Sequence, residues 1–297
     1  MSGHVAGDWG TTSLRMWRIR DGGVIDRVDG PGIGALEEAP AAVLARLLRP
    51  WRDAESPDRV SLRGMAGSRT GLREAPYVAC PASLDDWRSA QLRLDLDGLP
   101  IHIAAGVRLG EQDVMRGEET QIFGAIARDS SLAEGKHLLL LPGTHSKWAW
   151  VEDGTITAFR TWFTGEMFAL LRDRSSLLNA GAGAGNADDR EAGWVEGLAR
   201  SRTAPGILGA VFEARPAQLM RGRSATWAAS FLSGVLIGSE IEEGRRHAGG
   251  LPGRVTLVGA PELAERYALA LADQVGDVAS MDGEACALAG LELLHDD

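Results

Sequence analysis

The sequence contains the same local pattern twice, and this repeat restricts the fold more than any other feature. "GDWGTTSLRMW" occupies residues 7–17 and "LPGTHSKWAW" occupies residues 141–150, and aligning Gly10 with Gly143 pairs Thr11 with Thr144. In both copies an Asp-Gly pair, which is typical of a turn between two strands, follows about ten residues after the glycine. A strand, Gly-Thr loop, strand, turn, strand pattern that recurs after 133 residues predicts two related lobes.

The two Gly-Thr loops have the residue types of phosphate-binding loops. Gly10 allows a tight turn, and the threonines after it supply hydroxyl groups and backbone N–H groups. The second copy repeats this arrangement from Gly143 onward. We therefore predict that both lobes present phosphate loops to a shared cleft, and that the nucleotide contacts include Gly10, Thr11, Thr12, Gly143 and Thr144.

The copies differ at the position just before the turn. Asp8 aligns with Leu141, so only the first copy carries a carboxylate that suits a hydrated magnesium ion. The second copy offers His145 and Lys147 instead. Lys147 is interpreted either as a phosphate or nucleotide contact or as a solvated strand-edge lysine, and His145 either as a phosphate contact or, preferably, as part of a core hydrogen bond. The sequence thus predicts one metal site, at Asp8.

Composition and charge restrict the partners of this chain. Its 297 residues carry a net charge of −10, which argues against nonspecific binding to nucleic acid or to an anionic membrane. The first residues lack a signal-peptide pattern and no apolar run reaches membrane-spanning length, so a cytoplasmic protein is expected. Cys80 and Cys286 lie far apart without metal-ligand spacing and are both predicted to be small buried residues.

Apolar periodicity predicts an α/β protein in which strands and helices alternate. Helices are expected over residues 40–52, from about Glu118, and over about 224–247, where Gly234 and Gly238 would allow close helix packing. Residues 254–273 predict a strand, a turn at Gly259 and a helix that begins at Pro261. Asp282 is expected to cap the last helix. The glycine-rich run at 180–185 predicts a loop and not a dinucleotide site, because no strand precedes it.

These segments, in this order, resemble the actin-like ATPase and sugar-kinase superfamily, whose members have two ribonuclease H-like lobes. The combination of "DWGTTSLRMW", "VMRGEETQIFGA", "LPGTHSKW" and "FRTWFTGE" is similar to the 2-dehydro-3-deoxygalactonokinase family. The resemblance implies lobes at residues 1–123 and 124–297, with ATP and Mg²⁺ as cofactors and an adenosine segment at Gly259. It also implies transfer of the γ-phosphate to the 6-hydroxyl of 2-dehydro-3-deoxy-D-galactonate, a small-molecule sugar acid.

Phosphoryl transfer to a hydroxyl group also calls for a base near that group. A sugar-acid substrate needs, in addition, a cation that holds its carboxylate. Glu118 is the first candidate base, either in that role or as a dipole-favoured acid in the first turn of its helix, and Asp113 is the rival. For Glu119, the next residue, a position that faces solvent is an equally good interpretation. The candidate substrate-binding arginines, all in or beside the matched motifs, are Arg15, Arg69, Arg116 and Arg160.

Two other functions remain open at this point. A phosphohydrolase of the same superfamily would use Glu118 to activate water, and a noncatalytic sugar-responsive regulator would carry an added helix-turn-helix, for which residues before Asp8 leave no room. The galactonate- and gluconate-derived epimers of the substrate are not distinguished, and a homodimer is left open.

Overall fold

The computed structural model describes residues 3–178, 183–203 and 206–295. The chain divides into two compact units. The first contains the described residues up to His137, together with Ala149–Phe159 and the described residues from Met281 onward; the second contains Leu138–Trp148 and the described residues of Arg160–Ser280. The predicted lobe boundary at residues 123/124 falls inside a helix that belongs to the first unit, and the last helix of the chain also belongs to that unit.

The described residues form the predicted α/β class of fold, although strands and helices come in runs and do not alternate one by one. The strands are β1 (His4–Trp9), β2 (Ser13–Arg20), β3 (Gly23–Pro31), β4 (Val60–Gly64), β5 (Tyr77–Ala79), β6 (Leu92–Leu96), β7 (Leu99–Ile103), β8 (Gly106–Leu109), β9 (Asp113–Met115), β10 (Lys136–Leu141), β11 (Ser146–Glu152), β12 (Thr155–Trp162), β13 (Arg254–Gly259) and β14 (Asp277–Asp282). The helices are α1 (Pro40–Ala54), α2 (Leu84–Ser89), α3 (Glu118–Arg128), α4 (Thr164–Asp173), α5 (Ala187–Thr203), α6 (Ile207–Phe212), α7 (Ala214–Arg221), α8 (Ala225–His247), α9 (Pro261–Leu271) and α10 (Gly283–Glu292).

The two large sheets share one strand order. The first runs β3-β2-β1-β4-β7-β6 and the second runs β12-β11-β10-β13-β14, so each begins with the third, second, first and fourth strands of its own copy. In each copy the first strand pairs in parallel with the fourth, as β1 does with β4 and β10 with β13. The division between the units passes through β10, β11, β12 and β14. The internal repeat is therefore confirmed at the level of topology, and the fold is α/β with ribonuclease H-like sheets.

The Asp-Gly turns that revealed the repeat have the same backbone conformation. Asp21 and Gly22 have φ of 50° and 73°, and Asp153 and Gly154 have φ of 48° and 73°. Positive φ at both central residues defines the two-residue turn whose twist suits a β-hairpin, and aspartate followed by glycine tolerates it best. This shared turn geometry explains why both copies have an Asp-Gly pair at the turn.

The predicted helix boundaries are confirmed where capping residues mark them. The side chain of Ser224 accepts a hydrogen bond from Trp227 N at the start of α8, and Asp282 accepts one from Ala285 N at the start of α10. On α1, Val43, Leu44 and Leu48 are buried against the first sheet. These helices begin and end close to the residues that the capping and apolar patterns of the sequence predict.

Close helix packing at glycines occurs in both units. A methyl group at Gly234 of α8 would lie 2.6 Å from Trp194 O of α5, which confirms the predicted packing role. The two helices α3 and α10 approach equally closely in the first unit, since a methyl group at Gly124 would lie 1.8 Å from Cys286 O. Similarly, a methyl group at Gly290 would lie 2.0 Å from Thr120 O. This mutual approach explains why α10 belongs to the first unit.

Both cysteines are free, and their environments differ. Cys286 is buried as predicted, whereas Cys80 is half-buried, so the prediction that Cys80 is a buried residue is wrong. Residues 180–182 of the glycine-rich run lie outside the described residues, and residues 183–185 form neither helix nor strand. None of the helices in the described ranges has both the length and the apolar character needed to cross a membrane.

Candidate active site

The first Gly-Thr loop is a tight turn that joins β1 to β2. Gly10 N donates a hydrogen bond to Ser13 O at 2.8 Å, and Ile33 N and Gly34 N donate to Gly10 O and Thr11 O at 3.0 and 2.9 Å. The backbone of the loop is thus fixed from outside by residues 33–34, while the side chains of Thr11 and Thr12 are exposed. A rigid turn with accessible hydroxyl groups is what phosphate binding requires.

Asp8 lies at the end of β1 with 8% of its surface exposed. Its Oδ2 accepts hydrogen bonds from Arg63 Nη2 and Arg15 Nη2, both at 2.8 Å. Burial by itself would raise the pKa of Asp8, but the two guanidinium groups outweigh it and hold that pKa below its usual value. Asp8 is therefore a carboxylate with two cationic partners and not merely a turn residue.

Arg63 is a residue of this site that the sequence interpretation missed. It is 7% exposed in the central strand β4, where its α-carbon pairs with that of Asp8 on β1. Besides Asp8 it contacts Gly117, because its Nη1 donates to Gly117 O at 2.7 Å. The signal that could have found it is a cation inside a short strand that has no other charged residue, because a buried charge needs a partner.

Glu119 holds the backbone N–H group of Gly117, whose carbonyl oxygen is held by Arg63. It is fully buried, and its two carboxylate oxygens accept from Gly117 N at 2.9 and 2.7 Å, while Thr120 Oγ1 donates to it at 3.0 Å. Burial, reinforced by the neighbouring charge of Glu118, raises the pKa of Glu119 to about 7. The expectation that Glu119 could face solvent is wrong, since the side chain turns inward to bind the residue before α3.

The two candidate bases occupy different elements of the first unit. Glu118 is the first residue of α3 and is half-buried directly after Gly117, whose φ of 117° is accessible mainly to glycine. Asp113 begins β9, is also half-buried, and accepts a hydrogen bond from Val114 N through Oδ1 at 2.9 Å. Glu118 thus follows a residue whose backbone O is held by Arg63 and whose backbone N is held by Glu119, whereas Asp113 lies on a short strand.

Two side chains of the second Gly-Thr loop lie in environments that differ from the predicted ones. His145 is exposed, with its Nε2 at 2.5 Å from Glu166 Oε2 and its ring stacked on Phe163, so the core hydrogen bond expected for it is wrong. Lys147 is 3% exposed and its Nζ donates to His145 O at 3.2 Å, so its interpretation as a solvated lysine is also wrong. Thr144, just before His145, is exposed, and Gly143 is half-buried.

A buried carboxylate behind this loop connects three elements of the second unit. Glu240 of α8 accepts from Ser146 Oγ at 2.7 Å, from Trp148 Nε1 at 2.9 Å and from Tyr267 Oη at 2.6 Å. Thr164, the first residue of α4, also donates to it. Burial raises the pKa of Glu240 even though these four donors favour its charged form. This network was not predicted, and it ties the second loop to α4 and α9.

A cavity of about 430 Å³ lies within the second unit beside this network. Its wall includes Gly143 of the second loop, Thr164 and Gly165 at the start of α4, and Leu263 and Tyr267 of α9. Other contributions come from Phe168, Arg190, Thr226, Ala229, Ser230, Ser233, Leu236, Ile237 and Arg266. Gly259, predicted as the adenosine contact, is buried at the end of β13 and is not among the lining residues, but the helix that follows it supplies three of them.

The four candidate arginines lie in four different environments. Arg15 bridges Asp8 and Glu284, at 2.8 and 3.3 Å, and Arg116 stacks on the Tyr77 ring at 4.1 Å while donating to Ala75 O. Arg69 has 86% of its side chain exposed beside Glu74, and Arg160 is exposed on β12. Arg15 is the one of the four that contacts Asp8, and a carboxylate clamp remains a prediction for each of them.

The duplicated sheet, the Gly-Thr loop after the first strand of each copy and the cavity beside the second loop define a sugar kinase of the actin-like ATPase class. Comparison with known proteins narrows the class, since the family model for 2-keto-3-deoxy-galactonokinase matches residues 8–294. The chain belongs to that family, whose members are phosphotransferases.

Individual relatives match over nearly their full length. The Escherichia coli 2-dehydro-3-deoxygalactonokinase is 34% identical over 97% of this chain and 96% of its own. A Rhizobium meliloti relative, named a probable 2-dehydro-3-deoxygalactonokinase, is 33% identical over 97% of this chain and 95% of its own. A crystal structure from Sinorhizobium meliloti, assigned to the same kinase, superposes with a TM-score of 0.86 at 34% identity over 98% of this chain and 97% of its own.

Proposed function

We propose that this enzyme transfers the γ-phosphate of ATP to the 6-hydroxyl of 2-dehydro-3-deoxy-D-galactonate, giving the 6-phospho sugar acid. The observation that carries the nucleotide part is the cavity whose wall joins Gly143 of the second Gly-Thr loop to Leu263 and Tyr267 of α9. An apolar cavity of this size that ends at a phosphate loop suits a nucleoside whose phosphates lie on the loop. The choice of substrate rests on the family and on the name of the Escherichia coli relative, 2-dehydro-3-deoxygalactonokinase.

The residues around Asp8 fit a magnesium ion that is held by one carboxylate and by nucleotide phosphates. In the described ranges no three His, Cys, Asp or Glu side chains cluster as metal ligands, so a cage made of protein ligands alone is not built there. Magnesium bound to nucleotides needs no such cage, because it keeps several waters and takes one or two carboxylates. Asp8 Oδ2 is engaged by the two arginines, which leaves Oδ1 for the hydrated ion. When bound, the ion would neutralise charge on the phosphates.

The remaining roles follow from the positions of the side chains. The exposed hydroxyl groups of Thr11, Thr12 and Thr144 would contact phosphate oxygens, and Glu118 would accept the proton of the attacking hydroxyl group. Glu118 is preferred to Asp113 because Gly117, the residue before it, is held by Arg63 and Glu119. A fixed backbone keeps a catalytic side chain within the narrow range of positions that proton transfer requires.

Release of ADP tests this proposal against the phosphohydrolase alternative. Purified enzyme with ATP and Mg²⁺ should release ADP only when a 2-keto-3-deoxy sugar acid is added, and the panel should contain both the galactonate- and the gluconate-derived epimers. The product should carry one phosphate on its terminal carbon, which ³¹P NMR detects. ADP release that is independent of the sugar acid would indicate a hydrolase, and no release with any sugar acid would contradict the proposal.

A cytoplasmic location and a homodimer belong to the same proposal. The net charge of −10 supports a protein that does not associate with anionic membranes or with nucleic acid. Cell fractionation and light scattering would test these two statements directly.

A further inference from the structure

Glu284, the second residue of α10, shares a cation with Asp8. Arg15 donates from Nη2 to Asp8 Oδ2 at 2.8 Å and from Nη1 to Glu284 Oε2 at 3.3 Å. One guanidinium group therefore lies between two carboxylates and makes one contact with each. Arginine frequently binds both oxygens of one carboxylate, but Nη1 of Arg15 is not available to Asp8 while it is bound to Glu284. Glu284 thus keeps this end of Arg15 away from Asp8 Oδ1.

The position of Glu284 is fixed by the start of its helix. Asp282 Oδ1 accepts a hydrogen bond from Ala285 N at 2.7 Å, which caps α10. Between them, Gly283 O accepts a hydrogen bond from Gln121 Nε2 of α3 at 2.9 Å. The residues on both sides of Glu284 are therefore held, and its carboxylate is directed at Arg15 by the fold.

Glu284 also balances the charge around Asp8. Arg63 and Arg15 both bind Asp8, so two cations face one carboxylate there, and an excess positive charge repels a divalent cation. The carboxylate of Glu284 restores neutrality to this set of four side chains. Arg27, whose Nη1 lies 3.8 Å from Glu284 Oε1, has its own exposed aspartate partner. The charge of Glu284 is therefore left to offset that of Arg15.

We propose that Glu284 is a positioning residue that sets the affinity of the enzyme–nucleotide complex for Mg²⁺, by holding Arg15 to one oxygen of Asp8. This rests on the proposed function, which places the hydrated ion at Asp8 Oδ1. Without Glu284, Arg15 would be free to bind both oxygens of Asp8, and its charge would repel the ion. Loss of this carboxylate should therefore weaken the binding of a divalent cation, but it should not weaken the binding of a metal-free polyphosphate, which is an anion.

The Glu284→Gln variant tests this opposite response. Calorimetry would measure its affinity for the non-hydrolysable ATP analogue AMPPNP, once in EDTA and once in saturating Mg²⁺. By linkage, the ratio of the two affinities reports how tightly the enzyme–nucleotide complex holds Mg²⁺. The ratio should fall about two- to five-fold relative to the parent, the order expected for one partly exposed ion pair. The affinity in EDTA should stay equal to that of the parent or rise.

The matched control is Asp85→Asn. Asp85 is likewise the second residue of a helix, α2 of the first unit, and is exposed, so this variant removes the same charge from an equivalent helix position. Its affinity ratio should equal that of the parent.

An unchanged ratio in Glu284→Gln would overturn the inference. Equal losses of AMPPNP affinity in EDTA and in Mg²⁺ would also overturn it, because they would indicate that Glu284 only supports the structure. A parent enzyme that phosphorylates no sugar acid would contradict the proposed function separately, since the calorimetry contains no sugar acid.

Discussion

Arg63 and Asp8 form a buried ion pair, with Nη2 and Oδ2 separated by 2.8 Å, between the first and fourth strands of the first copy. The same guanidinium group donates from Nη1 to Gly117 O at 2.7 Å. One planar side chain therefore connects the predicted metal-binding carboxylate to the residue that precedes Glu118. A guanidinium group can make both contacts because its donors diverge in a rigid fork, which an ammonium group lacks.

Arg63→Lys should lower kcat by about 10- to 100-fold, because misplacing a catalytic group by about 1 Å has this order of effect. The lysine keeps the charge beside Asp8 but loses the second contact, to Gly117. Steady-state kinetics would measure the change. The matched control is Arg18→Lys, which alters another buried arginine whose Nη2 donates to Glu55 O, away from this site. Equal activity in both variants would show that Arg63 has no positioning role.

Asp8→Asn should lose turnover by at least about 100-fold, since the metal ion would lose its anchoring charge. The variant should also unfold more easily, because it leaves the buried Arg63 without its carboxylate, and breaking a buried pair costs about 3–5 kcal/mol. Urea denaturation and turnover at saturating magnesium measure the two effects. The exposed Asp29→Asn serves as the control. Near-parental turnover in Asp8→Asn would show that the metal binds elsewhere.

Glu118→Gln should depress kcat by about 10²- to 10⁴-fold with a modest change in KM for the sugar acid, as expected for loss of a general base. Asp113→Asn should remain near the parent enzyme. The reverse result would move the base to Asp113. Full activity in both variants would indicate that the proton leaves late without a protein base, which a loose phosphoryl-transfer transition state allows.

Glu119→Gln should change how stability depends on pH. The pKa of Glu119 is raised from 4.5 to about 7, so between these values the folded protein holds a proton that the unfolded chain has released. This group therefore lowers the free energy of unfolding as pH rises from about 4.5 to 7, by on the order of 3 kcal/mol.

Chemical denaturation of the parent and of Glu119→Gln at pH 5 and pH 8 measures this contribution. The parent should lose more stability between the two pH values than the variant does. Glu265→Gln, on the outer α9, is a control that should keep the parent's pH dependence. An identical pH dependence in the parent and in Glu119→Gln would show that Glu119 is ionised throughout this range.

The sequence by itself determined the duplication and the elements that build it. The two Asp-Gly turns were identifiable because a tight turn with positive φ depends on the residues in the turn and on little else. The caps at Ser224 and Asp282 were equally local, as was the spacing of apolar residues on α1. The order of these signals along the chain was sufficient to indicate the family.

Only the tertiary structure decided which side chains meet. Arg63 and Asp8 are 55 residues apart and Ser146 and Glu240 are 94 apart, and their contacts arise from strand pairing and helix packing that no local pattern encodes. The burial of Glu119 and of Lys147 likewise arises only in the folded chain, although their hydrogen-bond partners Gly117, Thr120 and His145 are close in sequence. Charges and hydroxyl groups take their roles from burial and partners, which the chain acquires only when it folds.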